Sequence, residues 1–592
     1  MSNEQIAKLL RNVAAAYIIK DERKFHFQIV AYQKAADSIV NSSIELADYH
    51  KDGELQNIPG IGVSIKGHLE ELFATGKVKY FDWALAGIPE SVFVLMNIPS
   101  FGPKKAYRLV EEFGLVNPKT VIADLKKFAV KGRIAPLKGF GEKSQKDILR
   151  AIREFKEGKG KTTRMVLPFA SEIADKIIQY LNKCPDVRDA RTLGSLRRMV
   201  PTVGDIDIAV ASNSPRKVIK HFASYPYLER IIEKGDITAS ILVSGGRQVD
   251  LMVQPPNAFG SLLQHFTGSK NHNIALREFA LKKGLSLSEY GIKNLKKENS
   301  KIRLYSSEKS FYKTLGLAWI APEIRENTGE VELSAKNKLP KLIEVGDING
   351  DFHLHSSFPI EPSHDLGKDS IKEMINKAIS LNYSHIGFSE HNPSISKHTN
   401  EQIYNLIKSR NNEVDHILSG TKSIRVLKLL EVDILSNGEL AIDDKSLSLL
   451  DFAIVSIHSV FSMNKANMTK RVIEGLSHPK AKVLAHPTGR LLNQRPGYEL
   501  DWEKIFKFCK DNNKALEINA WPSRLDLSDQ LIRQCVGNDV KMMINTDSHA
   551  SYQMDNMKYG VAMARRGWAT KSDILNTLDY NEFMKWLKGG EL

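Results

Sequence analysis

Hydrophobic and polar positions change rhythm three times along the 592-residue chain. Over residues 1–160 apolar side chains recur at spacings of three and four between short glycine turns, which predicts helices. From 161 to 255 the runs "DIDIAVA", "ASILVS" and "RQVDLMVQP" are β-branched and strand-like, with helical stretches such as "SEIADKIIQYLNKC" between them. Residues 327–348 lose any amphipathic period and contain Pro340, which marks a linker placed at 331–348. Beyond it, short apolar runs alternate with helical stretches, the pattern of βα units. At roughly 150 residues per domain, about four compact units are expected. The divisions predicted are 1–90 and 91–160, both helical, then 161–256, 257–330, the linker 331–348, and 349–592.

The helical part contains a weak repeat: "NIPGIGVSIKGHLEEL", "NIPSFGPKKAYRLVEEF" and "PLKGFGEKSQKDILRAI". Each copy is a tight turn (Gly60 and Gly62, Ser100 to Gly102, Gly139 and Gly141) followed by an amphipathic helix, with Lys104, Lys105 and Lys143 close by. Glycine lets a partner approach the backbone closely, and free N–H groups at a helix start suit phosphate. The repeat resembles the helix-hairpin-helix module, which grips DNA without reading sequence; the resemblance implies a monovalent cation at these turns.

Charge strengthens that reading. The net +15 divides into +16 for residues 1–340 and −1 for 341–592, so the polyanion footprint lies in the front part. Three cysteines, Cys184, Cys509 and Cys535, are too few and too scattered for a disulfide framework or a thiolate zinc site. No apolar run reaches the roughly 18 residues of a membrane span, and the N-terminus lacks a signal-peptide layout. A cytoplasmic, nucleoid-associated protein with no membrane partner is expected.

Candidate chemistry appears first in "TLGSLRRMVPTVGDIDIAV". Asp205 and Asp207 flank Ile206 on a predicted strand, so both carboxylates face one side. A lone pair of this kind is more often a solvated strand end. Here Asp250 stands in a second apolar strand, and Gly194, Ser195, Arg197 and Arg198 offer a turn, a hydroxyl and guanidinium groups suited to a triphosphate. Three carboxylates on neighbouring strands can hold two hard metal ions for in-line nucleotidyl transfer.

These segments, with "VDLMVQPPNAFGSLLQHFTGSKNHNIALREFALKKGLSLSEYGI" and "LGLAWIAPEIRENTGEVE", resemble the palm and thumb of a family X DNA polymerase. The resemblance implies that Asp205, Asp207 and Asp250 bind two Mg2+ or Mn2+ ions, with Asp250 helping to activate the primer 3′-hydroxyl. It implies Ser195, Arg198 and Gly204 at the nucleotide phosphates, and Phe266, Gly268, Asn273 and Arg277 around its sugar, base and template. Two residues depart from the family. His265 stands where a tyrosine is usual, and His68 replaces the Schiff-base lysine of lyase-active members, with Lys66 on another helix face. Efficient lyase activity is not expected.

In the last part potential metal ligands sit at the ends of apolar runs. "GDFHLHSS" places Asp351, His353 and His355 on one strand face, and His391, Glu431, His458, His486, Asp547 and His549 follow at intervals of one or two βα units. Strand ends of a βα barrel converge on one face, and mixed imidazole and carboxylate donors suit zinc, manganese or iron. The motifs "LAHPTGRLLNQRPGYELDW", "ALEINAWPSRLDLSD", "INTDSHA" and "YGVAMARRGW" resemble the PHP (polymerase and histidinol phosphatase) domain. Polymerase followed by PHP is the order in bacterial and archaeal-type PolX. The resemblance implies a seven-stranded barrel with up to three Mn2+ or Zn2+ ions and 3′-5′ exonuclease or 3′-end-processing activity. The ligands it implies are His353, His355, Glu361, His391, Glu431, His458, His486, Asp547 and His549. Glu361 enters because the usual "SDG" is replaced by "SSFPIEPSHDLGKDS", in which His364 or Asp365 could serve instead. "SEH" also replaces "TDH" beside His391, keeping the charge in Glu390 with a longer reach.

The expected architecture is therefore multidomain: an α-helical helix-hairpin-helix region, an α/β (α+β) polymerase palm and thumb, and a C-terminal (β/α)7 PHP barrel. The expected function is gap filling in DNA repair, of the base-excision type, on gapped or nicked duplex DNA with dNTPs by a monomer. Two alternatives remain at this point. One is a DNA-binding end-processing protein with one catalytic half impaired, and the other a PHP phosphoesterase acting on small molecules.

Overall fold

A computed structural model describes residues 1–592 apart from 2, 41–45, 47–49, 51–54, 56–60, 99–100, 157–163, 244–246, 421–422, 494, 496 and 591–592. Two compact units result, Met1–Thr163 and Arg164–Leu592.

The first unit is helical and has two apolar cores. Helices α1 (Asn3–Asp21), α2 (His26–Val40) and α3 (Val63–Thr75) enclose Leu10, Tyr17, Ala36 and Leu69. Helices α4 (Pro103–Phe113) and α5 (Glu142–Lys156) bury Ala106, Leu109, Ile148 and Ile152 in a separate cluster that begins at Val92. Among the described residues, none of the helices is long and apolar enough to cross a membrane.

The second unit opens with a five-stranded sheet: β1 (Asp189–Thr192), β2 (Ile206–Ala211), β3 (Leu228–Lys234), β4 (Thr238–Val243) and β5 (Arg247–Gln254). Its order is β1-β2-β5-β4-β3, with β2 and β5 parallel and the other pairs antiparallel. Ile206, Ile208 and Val210 are fully buried, so the alternation turns the intervening Asp207 to the other face. Helices α6 (Phe259–Thr267) and α7 (Lys270–Lys282) follow. Behind them a buried carboxylate, Glu308, holds Arg197 at 2.6 Å and Arg325 at 2.7 Å.

Residues 331–348 are not a bare connector. The segment starts inside a helix, Glu330–Ala335, and buries Val331, Leu342, Ile343 and Ile348. Leu342 bridges to Thr570, far along the chain. Burial of single residues along an irregular path leaves no period to read, which is why the sequence suggests a linker.

The strands beyond residue 349 are parallel to their neighbours: β6 (His385–Phe388), β7 (Arg425–Lys428), β8 (Glu431–Asp433), β9 (Ala453–Ser456), β10 (Ala481–Leu484), β11 (Ala515–Asn519) and β12 (Met542–Asn545). His391 bridges to Glu431, and β7 and β8 are separated only by Leu429 and Leu430. Leu354 bridges to Phe388 on one side and to Ser548 on the other, so parallel pairing returns to its start. Strands β6, β9, β11 and β12 are buried along their whole length, as expected where helices cover the outside. Helices α8 (Asp529–Gly537) and α9 (Met557–Arg566) are two of these covers.

Candidate metal centres

Parallel register places Asp207 of β2 directly beside Asp250 of β5, and antiparallel register places Ser240 of β4 on the other side of Asp250. Asp205, just before β2, completes a group whose oxygens lie within 4.8 Å of one another. Burial pushes the Asp207 carboxyl up to about 7, with the charges of Asp205 and Asp250 adding to it. Asp250 is oriented from two sides, accepting from the Ser240 hydroxyl and, at 3.1 Å to each oxygen, from Gln248. Gly194 shows why a turn residue is needed here. Its φ is +56°, and a Cβ would lie 2.6 Å from Asp207 Oδ2.

Around this group the two adjacent arginines part company. Arg197 turns away into Glu308 and Thr267, which removes it from the nucleotide-facing pair suggested by the sequence. Arg198 lies near the surface of the site, its Nε 3.0 Å from Glu326 and its side chain 14 % exposed. Arg198 Nη1 donates to the Thr267 carbonyl at 2.5 Å, and Gly268 leaves room for it, since a Cβ there would stand 3.0 Å from that nitrogen. Phe266 packs edge-on to His265, and Asn273 donates to the His265 carbonyl at 2.7 Å. Arg277 is exposed, 3.5 Å from the His265 ring. Ser195 sits in the short helix Gly194–Arg197, and a Cβ at Gly204 would lie 3.5 Å from Arg164 Nη1. Arg164 is a residue that the motifs did not single out; its guanidinium bonds Thr202 and feels the charge of Asp205.

The second centre gathers the strand-end residues of the ring. Glu431 is central, with Oε2 3.1 Å from His353 Nε2 and 3.0 Å from His391 Nδ1, and Oε1 2.9 Å from His486 Nε2. His458 Nε2 reaches the same carboxylate at 3.4 Å. Asp547 Oδ1 lies 3.2 Å from His355 Nε2, and His549 stacks on His355 with ring centroids 4.0 Å apart. Burial would raise Glu431, yet His391 and His353 hold it far below the usual carboxylate range. Burial likewise opposes protonation of His391, but Glu431 and Asp365 lift its pKa to about 10.

Several buried donors here, including His353 Nε2, both His355 nitrogens, His391 Nδ1, Glu431 Oε2 and His549 Nε2, face one another without forming hydrogen bonds. Imidazole and carboxylate lone pairs converging in this way, several of them with no hydrogen-bond partner, fit cations.

Glu361 does not join them. Its side chain is 62 % exposed and pairs with His398 at 3.0 Å, at a backbone φ of +53°. Four residues later the loop returns, and Asp365 bridges His391 at 3.3 Å and His549 at 3.2 Å. The neighbouring His364 contacts Asp433 at 3.2 Å. Glu390 of "SEH" also faces elsewhere, accepting from Ser356 and lying 3.6 Å from buried Arg410. Asp351 is buried but serves Thr546, not the cluster.

Two orienting carboxylates escaped the sequence reading. Glu517 holds His353 Nδ1 at 2.7 Å, which turns Nε2 inward, and Asp433 does the same for His458 at 2.7 Å. The signal for Glu517 was an acid inside the apolar run "ALEIN", all of it buried.

In the helical unit, Gly62 and Gly102 precede α3 and α4 with ordinary φ values of −81° and −72°. Gly141 precedes α5, and a Cβ at any of the three would have nothing within 4 Å. Gly139 has φ +83°. Lys104 pairs with Glu22 and Lys105 lies over Phe101; Gly60 and the Lys143 side chain fall outside the described residues. His68 is held by Tyr32 at 2.9 Å and stacks on Tyr80, while Lys66 faces Glu70.

Carboxylates on adjacent strands suit nucleotidyl transfer, and imidazoles on the ends of a parallel βα ring suit phosphoester hydrolysis; this chain joins both classes of enzyme. Family models match in three places: a DNA polymerase beta thumb over residues 262–326, a helix-hairpin-helix domain over 1–78 and a PHP domain over 351–520. The chain is 32 % identical over 590 residues to a Bacillus subtilis protein named DNA polymerase/3′-5′ exonuclease PolX, covering 99 % of this chain and 100 % of that one. It is 23 % identical over 352 residues to rat DNA polymerase lambda, 55 % of this chain and 56 % of that one. A Clostridium acetobutylicum protein named as a probable phosphatase is 26 % identical over 247 residues, 40 % of this chain and 93 % of that one. The chain belongs to the PolX family, the family X DNA polymerases that carry a PHP domain.

Proposed function

We infer that the protein is a template-directed DNA polymerase that fills short gaps during repair and trims or conditions 3′ ends with its PHP domain. The observation that carries this is the register of Asp207 against Asp250 with Asp205 alongside. Mg2+ or Mn2+ held by these three residues would supply the charge stabilisation that in-line phosphoryl transfer needs. Asp250, which accepts from Ser240 and Gln248, takes the primer hydroxyl proton in this reading. Ser195, Arg198 and Gly204 bind the triphosphate, and Phe266, Gly268, Asn273 and Arg277 hold the sugar, base and template.

In the PHP domain, Mn2+ or Zn2+, up to three ions, would activate water against a phosphoester. The residues that would hold them are His353, His355, His391, Glu431, His458, His486, Asp547 and His549, with Asp365 beside His391 and His549. Asp365, in place of Glu361, supports an intact third position and weighs against an impaired PHP half. Glu517 and Asp433 fix the tautomers of His353 and His458.

The substrates are gapped or nicked duplex DNA and dNTPs, and the working form is a monomer. Gly62, Gly102 and Gly141 support the DNA-binding part of this reading. Neither packing nor backbone angle asks for glycine there, so the requirement comes from a partner's close approach, with a monovalent cation at the turns. A basic front section of +16 disfavours a small-molecule phosphoesterase.

On a one-nucleotide gapped duplex, Asp205→Ala and Asp207→Ala should each abolish incorporation. His353→Ala should abolish manganese-dependent 3′ degradation while leaving incorporation in place. Incorporation by both aspartate variants would overturn the polymerase-site assignment; degradation by His353→Ala would overturn that of the PHP site.

A further inference from the structure

Helix α9 of the PHP domain ends in Arg566, and this side chain does not face its own metal centre. It is 5 % exposed, and its Nη2 lies 2.5 Å from Asp529 Oδ2 at the start of α8. Nη1 donates to the backbone carbonyl of Arg198 at 2.8 Å and to Glu326 Oε1 at 3.1 Å. That same Glu326 oxygen accepts from Arg198 Nε at 3.0 Å. Four charges of alternating sign, Arg198, Glu326, Arg566 and Asp529, thus run from the nucleotide side of the polymerase palm into the PHP fold. The side chains of all four are poorly exposed, between 5 % and 28 %, so solvent and salt screen them little.

We propose that Arg566 is a positioning residue for the polymerase reaction: by sharing Glu326 it loosens the hold of that carboxylate on Arg198 and so favours binding of the nucleotide triphosphate. The proposal rests on the assignment of Arg198 to the triphosphate given above. A carboxylate shared by two guanidinium groups holds each less tightly than it would hold one. With Arg566 in place, part of the Glu326 charge is already neutralised, and an incoming triphosphate meets a weaker competitor for Arg198. Without it, Glu326 is left to Arg198 alone, and the same triphosphate must displace a stronger ion pair.

A second PHP side chain reaches the same part of the palm. Asn493 Nδ2 donates to the carbonyl of Arg164 at 2.5 Å. Arg164 and Arg198 both precede the three carboxylates in sequence, and each has its main-chain oxygen held from the PHP domain. The PHP fold therefore braces the nucleotide side of the polymerase site, with Arg566 as the point where the brace carries charge.

The test uses the full-length protein in steady-state gap filling, reading KM and kcat for the dNTP separately, with 3′-5′ degradation as the control for folding. Arg566→Met should raise KM about ten-fold, the scale of a typical coupling between sites, with kcat and nuclease activity close to wild type. Adding Glu326→Gln should return KM to the wild-type range, because the competing charge is gone. A KM rise that Glu326→Gln does not reverse would mean that Arg566 only supports the backbone, and would overturn the proposal. So would an unchanged KM in Arg566→Met when Arg198→Ala raises it. If Arg198→Ala leaves KM unaltered, the assignment of Arg198 to the triphosphate fails first and the proposal falls with it. Should Arg566→Met also lose nuclease activity, Arg566→Lys takes its place. Lysine keeps the charge beside Glu326 while giving up the forked hold on Asp529 and the Arg198 carbonyl, so KM there should stay near wild type, and a KM raised as far as in Arg566→Met would overturn the proposal equally.

Discussion

Acidification should weaken metal binding at the polymerase carboxylates at a pH far above the usual carboxylate range. Asp207 is shifted from 3.8 to about 7 by burial and by Asp205 and Asp250. A shift of that size corresponds to roughly 4 kcal/mol favouring the neutral form, which a bound cation must offset. For a raised carboxyl the sign is definite: metal competes with a proton below the folded pKa and binds without competition above it. About nine-tenths of Asp207 is protonated near pH 6 and about one-tenth near pH 8, so the apparent magnesium affinity should fall about ten-fold between them. The measurement is the magnesium concentration giving half-maximal gap filling at each pH, with rates at saturating magnesium used to remove effects on the primer hydroxyl. A half-saturating concentration that is equal at both values, or lower at the acid one, would show that Asp207 is ionised throughout and that the buried-carboxyl argument is wrong.

Elemental analysis of Asp365→Asn should show about one metal equivalent fewer per chain, whereas Glu361→Gln should match wild type; the opposite pattern would restore Glu361 as the ligand. Gly194→Ala puts a methyl group 2.6 Å from Asp207 Oδ2 at a φ of +56°, so it should end incorporation yet spare nuclease activity, and an active variant would refute the close approach. Glu308→Ala leaves Arg325 and Arg197 without their shared carboxylate and should cost about 3–5 kcal/mol in denaturant unfolding. Because Glu308 is lowered to about 2, its contribution is present above the unfolded carboxylate range and fades as pH falls toward 2. Gly102→Ala, with nothing within 4 Å of the new Cβ, should change stability by less than about 1 kcal/mol while weakening duplex binding in a shift assay; unaltered binding would locate DNA elsewhere.

How much of this could be read in advance depended on whether a residue's role was set by local period. Asp205, Asp207 and Asp250 were legible because strand alternation sorts faces before any partner strand is known, and the register then did the rest. His353, His391, His458 and His486 were legible for a related reason, as strand ends in a parallel ring meet. The loop after His355 was not. Its path turns at Glu361 with φ +53°, and which of three acidic or imidazole groups returns to the cluster depends on backbone angles that composition does not encode. Arg197 and Arg198 are adjacent and chemically identical, yet one partner lies 111 and the other 128 residues away, so only the folded chain could separate them. Glu517 and Asp433 act through histidines, and orienting groups of that kind have no spacing rule of their own.

The packing of α9 explains why two catalytic centres on one chain need not move independently. Gly560, within this helix, sits against β12: a Cβ there would meet Ile544 at 2.5 Å and Ala520 at 3.0 Å. Asp547 and His549 of the PHP centre follow directly on β12, and Glu517 lies on the adjoining β11. The helix is thus seated close against the strands that carry one metal group. At its other end Arg565 holds Glu323 at 2.8 Å, and Arg566 holds Glu326 at 3.1 Å, both on the thumb side of the polymerase. Interiors packed this closely transmit displacement better than they absorb it. A shift of α9 large enough to release Glu326 would also have to disturb its contact with Ile544, three residues before Asp547, so the strand leading to Asp547 and His549 and the carboxylate facing Arg198 are fastened to the same rigid element.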